Sequence, residues 1–75
     1  MNITIYTKSN CPNCASAKNL LRAKNLPYLE LNIEFNPALR DDLPPDARQM
    51  PQVFINGQRV GGLAGLQAAL GQLGL

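Results

Sequence analysis

The chain has 75 residues, of which 45% are hydrophobic, and a formal net charge of only +2. This length predicts a single domain over residues 1–75, small enough that its core contributes only a few kcal/mol of net stability. The weak, scattered charge and the presence of only two Tyr and two Phe residues do not indicate nucleic-acid binding. No apolar run approaches a membrane span and no signal-peptide pattern opens the chain, so we expect a cytoplasmic protein without membrane attachment.

The first half of the chain alternates between strand and helix patterns. β-branched and aromatic side chains predict a strand over residues 2–6. A helix is predicted to begin at Pro12 and to run to Lys24, because helix-forming residues dominate and apolar ones recur every three or four positions. Asn25 is expected to cap this helix in the left-handed conformation, and Pro27 prevents its continuation.

Two apolar faces follow from the same patterns. The first helix should bury one face, made by Ala17, Leu20, Leu21 and, at its margin, Lys24. Residues 28–33 alternate between apolar and polar side chains, which predicts a half-buried strand at the edge of a sheet. The side chains on the apolar side of that strand are Leu29, Leu31 and Ile33.

The second half begins with a short predicted helix. Asn36 is expected to cap it, with Pro37 at its first position and Asp41 near its end. The Pro44-Pro45 pair stops this helix, and residues 44–50 are expected to be irregular.

A hairpin and a final helix complete the chain. The apolar run of residues 53–55 predicts a central strand that is covered on both faces. Asn56-Gly57 predicts a tight hairpin turn into a second strand at Arg59-Val60, which Gly61-Gly62 ends. The last helix should be amphipathic. Its apolar face is formed by Leu63, Leu66, Ala69, Leu70 and Leu73.

The predicted order is therefore β-α-β-α-β-β-α, which belongs to the α/β class. The first β-α-β unit should be parallel and the last two strands should form an antiparallel hairpin. One mixed four-stranded sheet flanked by helices accommodates every element. Open α/β sheets bind ligands beyond the carboxyl ends of their strands, and residues 7–14 lie at that edge.

Cys11 and Cys14 are the only cysteines, and Pro12 and Asn13 separate them. They lie where the first strand gives way to the first helix, whose free N–H groups and dipole point towards Cys11. Thiols in that position ionise more readily than free cysteine. Lys8 adds a positive charge on the approach. Cys14, one turn further along, can attack a mixed disulfide formed at Cys11.

Two alternatives to redox chemistry are a zinc half-site and a pair of inert buried cysteines. A structural zinc ion takes four ligands, usually Cys and His, and the chain has no His and no further Cys, so zinc would require a dimer. Inert burial is the usual fate of cysteine. Pro12 between the two cysteines and the strand-to-helix junction around them favour a redox role instead, so we expect no metal site.

Three motifs in this order make the chain resemble a dithiol glutaredoxin of the thioredoxin-fold group. They are residues 6–14 (YTKSNCPNC), residues 50–57 (MPQVFING) and residues 61–62 (GG). The resemblance extends from Ile3 to the last predicted helix. It implies a thioredoxin-like fold, built from the elements predicted above, and thiol–disulfide oxidoreductase activity.

The resemblance also implies roles for individual residues. Cys11 matches the nucleophilic cysteine of the family and Cys14 the resolving cysteine. Lys8 matches a lysine that attracts a glutathione carboxylate. Pro51 matches a cis-proline that would turn the Met50 backbone towards the cysteines, although a plain strand start is the alternative for Pro51. The implied glutathione contacts are Lys8, Asn13, Met50, Pro51, Gly62, Leu63 and Ala64.

Three stretches depart from the family pattern. Asn13 replaces the usual Tyr, which removes an aromatic wall beside the sulfur, and residues 49–50 are Gln-Met where Thr-Val is common. After Gly61-Gly62 the family commonly has an acidic pair that holds the glutamyl end of glutathione, whereas residues 63–65 are Leu-Ala-Gly. Helix N–H groups can still bind the glutamyl carboxylate. Its ammonium lacks a partner, a loss of about 1.5–3 kcal/mol.

The leading hypothesis is a monomeric, glutathione-dependent oxidoreductase that reduces protein disulfides and glutathione mixed disulfides, with glutathione as co-substrate and no tightly bound cofactor. The second is a glutaredoxin-like electron donor reduced by thioredoxin reductase, for instance serving a ribonucleotide reductase, which the missing acidic pair favours. The third is a dimer bridging an iron–sulfur cluster through Cys11 and glutathione, although such carriers typically have one active-site cysteine. Arg40 and Arg48 are either further carboxylate contacts or solvated surface charges.

Overall fold

The structure is a computed structural model that describes all residues from 1 to 75. Its helices and strands are β1 (Ile3–Thr7), α1 (Pro12–Ala23), β2 (Leu29–Asn32), a 3₁₀ helix (Pro37–Asp42), β3 (Gln52–Ile55), β4 (Gln58–Gly61) and α2 (Leu63–Gln72). The predicted β-α-β-α-β-β-α order is confirmed, with the second helix of the tighter 3₁₀ type. None of the helices is both long and apolar enough to span a membrane.

The four strands form one mixed sheet in the order β2-β1-β3-β4. β1 and β2 are parallel, while β3 is antiparallel to both β1 and β4. The turn of the β3–β4 hairpin is Asn56-Gly57, whose φ values of 52° and 82° are the two positive angles that a type I′ turn requires. The predicted parallel unit, central third strand, edge second strand and hairpin are all confirmed.

The main core lies between one face of the sheet and the two α-helices. It consists of eight buried side chains, Ile3, Ile5, Ala17, Leu21, Val53, Ile55, Leu66 and Leu70. Ala17 and Leu21 belong to the predicted apolar face of α1, and Leu66 and Leu70 belong to that of α2. Full burial of a Leu or Ile side chain contributes about 1.5–3 kcal/mol, so this cluster holds α1 and α2 against β1 and β3.

A smaller core covers the other face of the sheet beside the cysteines. Its buried members are Cys14, Ile33, Leu43, Ala47 and Met50. Tyr6 and Phe54 pack against it and meet edge to face, with ring centroids 5.7 Å apart. The segment between β2 and β3 therefore covers this face of the sheet only at the end where α1 begins.

α1 ends in the left-handed cap that the sequence predicts. Asn25 has φ 56°, its N–H donates to the carbonyl of Arg22, and the Leu26 N–H donates to the carbonyl of Leu21. These two bonds form a Schellman motif, which satisfies carbonyls that the helix end would otherwise leave free.

The predicted cap of the short helix is wrong in one respect. Asn36 precedes Pro37 as expected, but the Asn36 side chain makes no capping hydrogen bond. The backbone carbonyl of Asn36 instead accepts from the Leu39 N–H at 3.0 Å, an i to i+3 bond of the 3₁₀ type.

Two leucines predicted on buried faces are exposed. Leu29 in β2 and Ile33, which directly follows β2, lie on the same side of the sheet as predicted. Leu29 is nevertheless 56% exposed, whereas Ile33 is 3% exposed. The cause is that the segment covering this face packs only at the Ile33 end of the strand. Leu73 is 53% exposed because α2 ends at Gln72 and Leu73 only caps it.

Candidate active site

The cysteine pair lies at the junction between β1 and α1. Asn10 adopts the left-handed conformation, with φ 55°, and Cys11 follows as the N-cap residue of the helix that Pro12 begins. Cys14, in the first turn, is only 2% exposed, whereas Cys11 is partly exposed. The two sulfurs form a disulfide across a Cα–Cα distance of 5.2 Å. Cys11 is thus the cysteine that an incoming molecule meets first.

Polar backbone groups surround the Cys11 sulfur. The Cys14 N–H donates a hydrogen bond to Cys11 Sγ at 3.2 Å. The Met50 carbonyl oxygen lies 3.6 Å from the same sulfur, near enough to accept a hydrogen bond from the thiol when the pair is reduced. Hydrogen bonds donated to a sulfur, together with the positive end of the α1 dipole, stabilise its negative charge.

The Met50-Pro51 bond is cis, as the family resemblance implies. Both residues are buried. The Met50 backbone N–H makes no hydrogen bond within the chain, so a donor and an acceptor of one residue are available beside Cys11. An extended peptide segment could pair with both groups, as an added strand pairs with a sheet edge.

A side-chain network that sequence reasoning missed holds the residues before Pro51. The buried Gln52 side chain donates to the Gln49 carbonyl at 2.8 Å. The Gln52 amide oxygen in turn accepts from Arg59 Nε at 3.1 Å, and Arg59 also pairs with Asp46 at 3.2 Å. The loop that carries Met50 is thereby tied to the β3–β4 hairpin.

A cavity of about 470 Å³ opens on one side of Cys11. Its lining residues are Lys8, Asn10, Cys11, Pro12, Asn13, Arg48, Gln49 and Met50. Two cations, Lys8 and Arg48, belong to this wall. Arg40 borders none of the cavities, so of the two arginine candidates only Arg48 lies in the site. Asn10 and Gln49 also line this cavity, although neither is among the glutathione contacts that the resemblance implies.

A second cavity, of about 270 Å³, lies on the other side and contacts the N-terminus of α2. The residues that line it are Asn13, Gln49, Met50, Pro51, Gln52, Gly62, Leu63, Ala64 and Gly65. Pro51, Gly62, Leu63 and Ala64 are among the residues for which the resemblance implies glutathione contacts. The first turn of α2 contains no acidic residue. Its free N–H groups suit a carboxylate. Because the two cavities share Asn13, Gln49 and Met50, they form one groove that passes Cys11.

A partly buried polar contact ties β1 and β2 together near the cysteine loop. The Thr7 hydroxyl, 1% exposed, donates to the Glu30 carboxylate at 2.7 Å, and Lys18 pairs with the same carboxylate at 3.1 Å. The Thr7 hydrogen bond, assisted by the Lys18 charge and opposed by partial burial, lowers the pKa of Glu30. Lys18 and Glu30 lie outside the sequence motifs, and no contact is predicted for Thr7, which lies inside the first motif.

The strand-to-helix disulfide, the facing Met50-Pro51 backbone and the four-stranded mixed sheet define a thiol–disulfide oxidoreductase of the thioredoxin fold. The Glutaredoxin family model matches residues 3–60. Glutaredoxin 3 of Escherichia coli (strain K12) is 41% identical over 69 residues, covering 89% of this chain and 83% of that protein. The chain belongs to the glutaredoxin family, and Cys11 and Cys14 are its redox pair.

Solved structures agree with this assignment. A solution structure of glutaredoxin from Brucella melitensis superposes with a TM-score of 0.76 at 36% identity, covering 99% of this chain and 82% of that one. The glutaredoxin-like protein NrdH-redoxin from Escherichia coli, described as having a thioredoxin-like activity profile, superposes with a TM-score of 0.71 at 26% identity, covering 91% and 93%. The fold is therefore shared by proteins whose activity profiles differ.

Proposed function

We propose that this oxidoreductase uses glutathione as its electron source and reduces glutathione mixed disulfides and protein disulfides. The observation that carries the proposal is the groove past Cys11, which has cations at one end and a helix N-terminus at the other. Glutathione is a tripeptide with a carboxylate at each end and its thiol between them. A reducing cytoplasm, in which glutathione stays a thiol, is the compartment that suits this chemistry.

The groove can hold the two ends of glutathione by different means. Lys8 and Arg48 attract the carboxylate of the glycyl end. The N–H groups of Leu63 and Ala64, at the start of α2, receive the carboxylate of the glutamyl end. Between them, the Met50 N–H and carbonyl pair with the cysteinyl backbone, which places the glutathione sulfur beside Cys11.

The proposed first step is attack of the Cys11 thiolate on the glutathione sulfur of a mixed disulfide. A new disulfide forms between Cys11 and glutathione, the old disulfide breaks, and the substrate leaves as a thiolate that takes a proton from water. The Cys14 N–H bond to Cys11 Sγ stabilises the attacking thiolate. A second glutathione thiolate then attacks the bound glutathione, releases glutathione disulfide and restores Cys11.

Protein disulfides require the second cysteine. After Cys11 has formed a mixed disulfide with the protein, the Cys14 thiolate attacks Cys11 Sγ, and the second protein sulfur leaves. Cys14 lies in the first turn of α1 and forms a disulfide with Cys11 in this structure. Two glutathione molecules reduce the resulting disulfide in two successive exchanges, which return both electrons.

A second candidate is an electron donor that thioredoxin reductase reduces directly. Two observations favour it: the first turn of α2 has no acidic side chain to pair with the glutamyl ammonium, and the chain superposes on the NrdH-redoxin structure. The loss of one charge-assisted contact costs about 1.5–3 kcal/mol. That loss weakens glutathione binding by about one to two powers of ten.

The test is turnover of a mixed disulfide between glutathione and a small thiol, with the reducing system exchanged. One reaction contains glutathione, glutathione reductase and NADPH, and the other contains thioredoxin reductase and NADPH. Cys11→Ser is the inactive control for both. Turnover in the first reaction alone supports the proposal. Turnover in the second alone replaces it with the thioredoxin-reductase donor and removes glutathione binding from the groove.

A further inference from the structure

Phe35 is the most exposed large apolar side chain of the protein, at 84%. It lies in the turn that follows β2. The turn is held on both sides of it, because the Glu34 N–H donates to the Asn32 side chain at 2.8 Å and the Asn36 N–H donates to the Asn32 carbonyl at 3.2 Å. The ring is therefore presented to solvent by an ordered turn.

This turn lies beside the cysteine loop. β2 runs parallel to β1, so both strands end at the same edge of the sheet, with Asn32 paired to Thr7. The Ile33 N–H donates to the Thr7 carbonyl at 2.9 Å, and the Ser9 N–H donates to the Glu34 carboxylate at 3.2 Å. The two residues of the turn that precede Phe35 are thus hydrogen-bonded to the chain that leads directly into Cys11.

The strand order places this turn and the Met50-Pro51 side of the groove on opposite sides of β1. β2 and β3 are the two neighbours of β1. Met50 lies two residues before the start of β3, and Phe35 lies three residues after the end of β2. None of residues 33–36 lines either cavity beside the cysteines. A tripeptide that fills the groove therefore leaves Phe35 uncovered, whereas a longer polypeptide that crosses Cys11 has room to reach it.

We propose that Phe35 is a specificity-determining contact for polypeptide disulfides, where it packs on an apolar side chain next to the substrate cysteine. The proposal rests on the oxidoreductase activity of the Cys11–Cys14 pair and does not require glutathione as the reductant. Aromatic side chains are favoured anchors of protein interfaces. Because the turn is already ordered, little conformational freedom is lost when a substrate binds.

The step that Phe35 assists is the capture of the substrate. The reduced Cys11 thiolate attacks one sulfur of the peptide disulfide, whose S–S bond breaks as the other sulfur leaves and is protonated. Cys14 then displaces the captured sulfur. The peptide gains two electrons and two protons, and the protein is left with the Cys11–Cys14 disulfide.

The test uses reduced protein in a single turnover, so that no reductase or glutathione is present. The substrates are two disulfide-linked synthetic peptides that differ only at the residue next to cysteine, which is Leu in one and Ser in the other. Phe35→Ala is compared with wild type and with Leu29→Ala, a matched control. Leu29 is also exposed and lies at the start of β2, at the end of the strand away from the turn that carries Phe35.

We expect Phe35→Ala to slow oxidation by the Leu peptide about tenfold, the factor that corresponds to 1.4 kcal/mol. Oxidation by the Ser peptide should change less than twofold, and Leu29→Ala should behave as wild type. Equal rates for wild type and Phe35→Ala with the Leu peptide overturn the proposal, as does an equal loss with both peptides. If Phe35→Ala instead abolishes a dimer of wild type seen in light scattering, Phe35 serves self-association and the proposal is wrong. A wild-type protein that neither peptide oxidises contradicts the protein-disulfide part of the proposed function instead.

Discussion

Substitution of Gly65 by Ala tests how closely α2 must approach the sheet. A Cβ atom on Gly65 would lie 1.9 Å from the Val60 carbonyl oxygen and 2.8 Å from its carbon. Ordinary contact begins at 3.4 Å, and the obstacle is backbone, which cannot rotate away as a side chain can. The Gly65→Ala variant therefore has to move the start of α2 away from β4.

The magnitude follows from two opposing effects. Overpacking of this kind typically costs about 1–3 kcal/mol, and a backbone obstacle puts Gly65→Ala at the upper end. Alanine recovers about 1 kcal/mol because it favours helix more than glycine does. We expect a net loss of about 2 kcal/mol in the free energy of unfolding, which for a chain of this size lowers Tm by roughly 10 °C.

Gly71 provides the matched control within the same helix. A Cβ atom there would have no neighbour within 4 Å, so Gly71→Ala should gain about 1 kcal/mol from helix propensity alone. Urea unfolding followed by circular dichroism gives both free energies. If Gly65→Ala is as stable as Gly71→Ala, the close packing of α2 on β4 is refuted. Because Gly65 also lines the second cavity, its variant should bind glutathione more weakly, whereas Gly71→Ala should not.

Two further predictions concern the polar networks. Since the pKa of Glu30 is lowered, its ionised form stabilises the fold at neutral pH, and this contribution is lost as the pH falls through the lowered pKa. Glu30→Gln should therefore be less stable than wild type at pH 7 and lose less stability between about pH 5 and 3. The measurement is the free energy of unfolding from urea titrations at several pH values, and the same pH dependence for both proteins would contradict this. Arg59→Ala removes the hydrogen bond to Gln52 and should raise KM for glutathione about fivefold with little change in kcat, whereas equal KM values in steady-state kinetics would show that Arg59 does not position the Met50 loop.

The sequence predicts the frame of the protein well where the signal is local. The Asn56-Gly57 turn requires positive φ at two adjacent residues, which these residue types favour. The motif of residues 11–14 is likewise local, because it marks the point where a strand passes into a helix. The hydrogen bond between Thr7 and Glu30 is different, because it joins residues 23 positions apart. It depends on the register between β1 and β2, which no local pattern specifies.

Periodicity also predicts which side a residue faces but not whether anything covers that side. Leu29 in β2 and Ile33, which directly follows it, lie on the same side of the sheet, yet only Ile33 is covered by the short segment between β2 and β3. The exposure of Phe35 escaped prediction for the same reason. Phenylalanine is a residue type that is usually buried. Only the structure of the turn after β2 shows that Phe35 is exposed to solvent.

The proposed function requires that Cys11 is the nucleophile and that glutathione reaches it. The most direct measurement is intact-protein mass spectrometry of Cys14→Ser and Cys11→Ser after reaction with glutathione disulfide. The partly exposed Cys11, which accepts the Cys14 N–H bond, should give Cys14→Ser one glutathione adduct, and the buried thiol in Cys11→Ser should give none. An adduct on Cys11→Ser with none on Cys14→Ser would reverse the two roles, and no adduct on either would contradict the proposed use of glutathione.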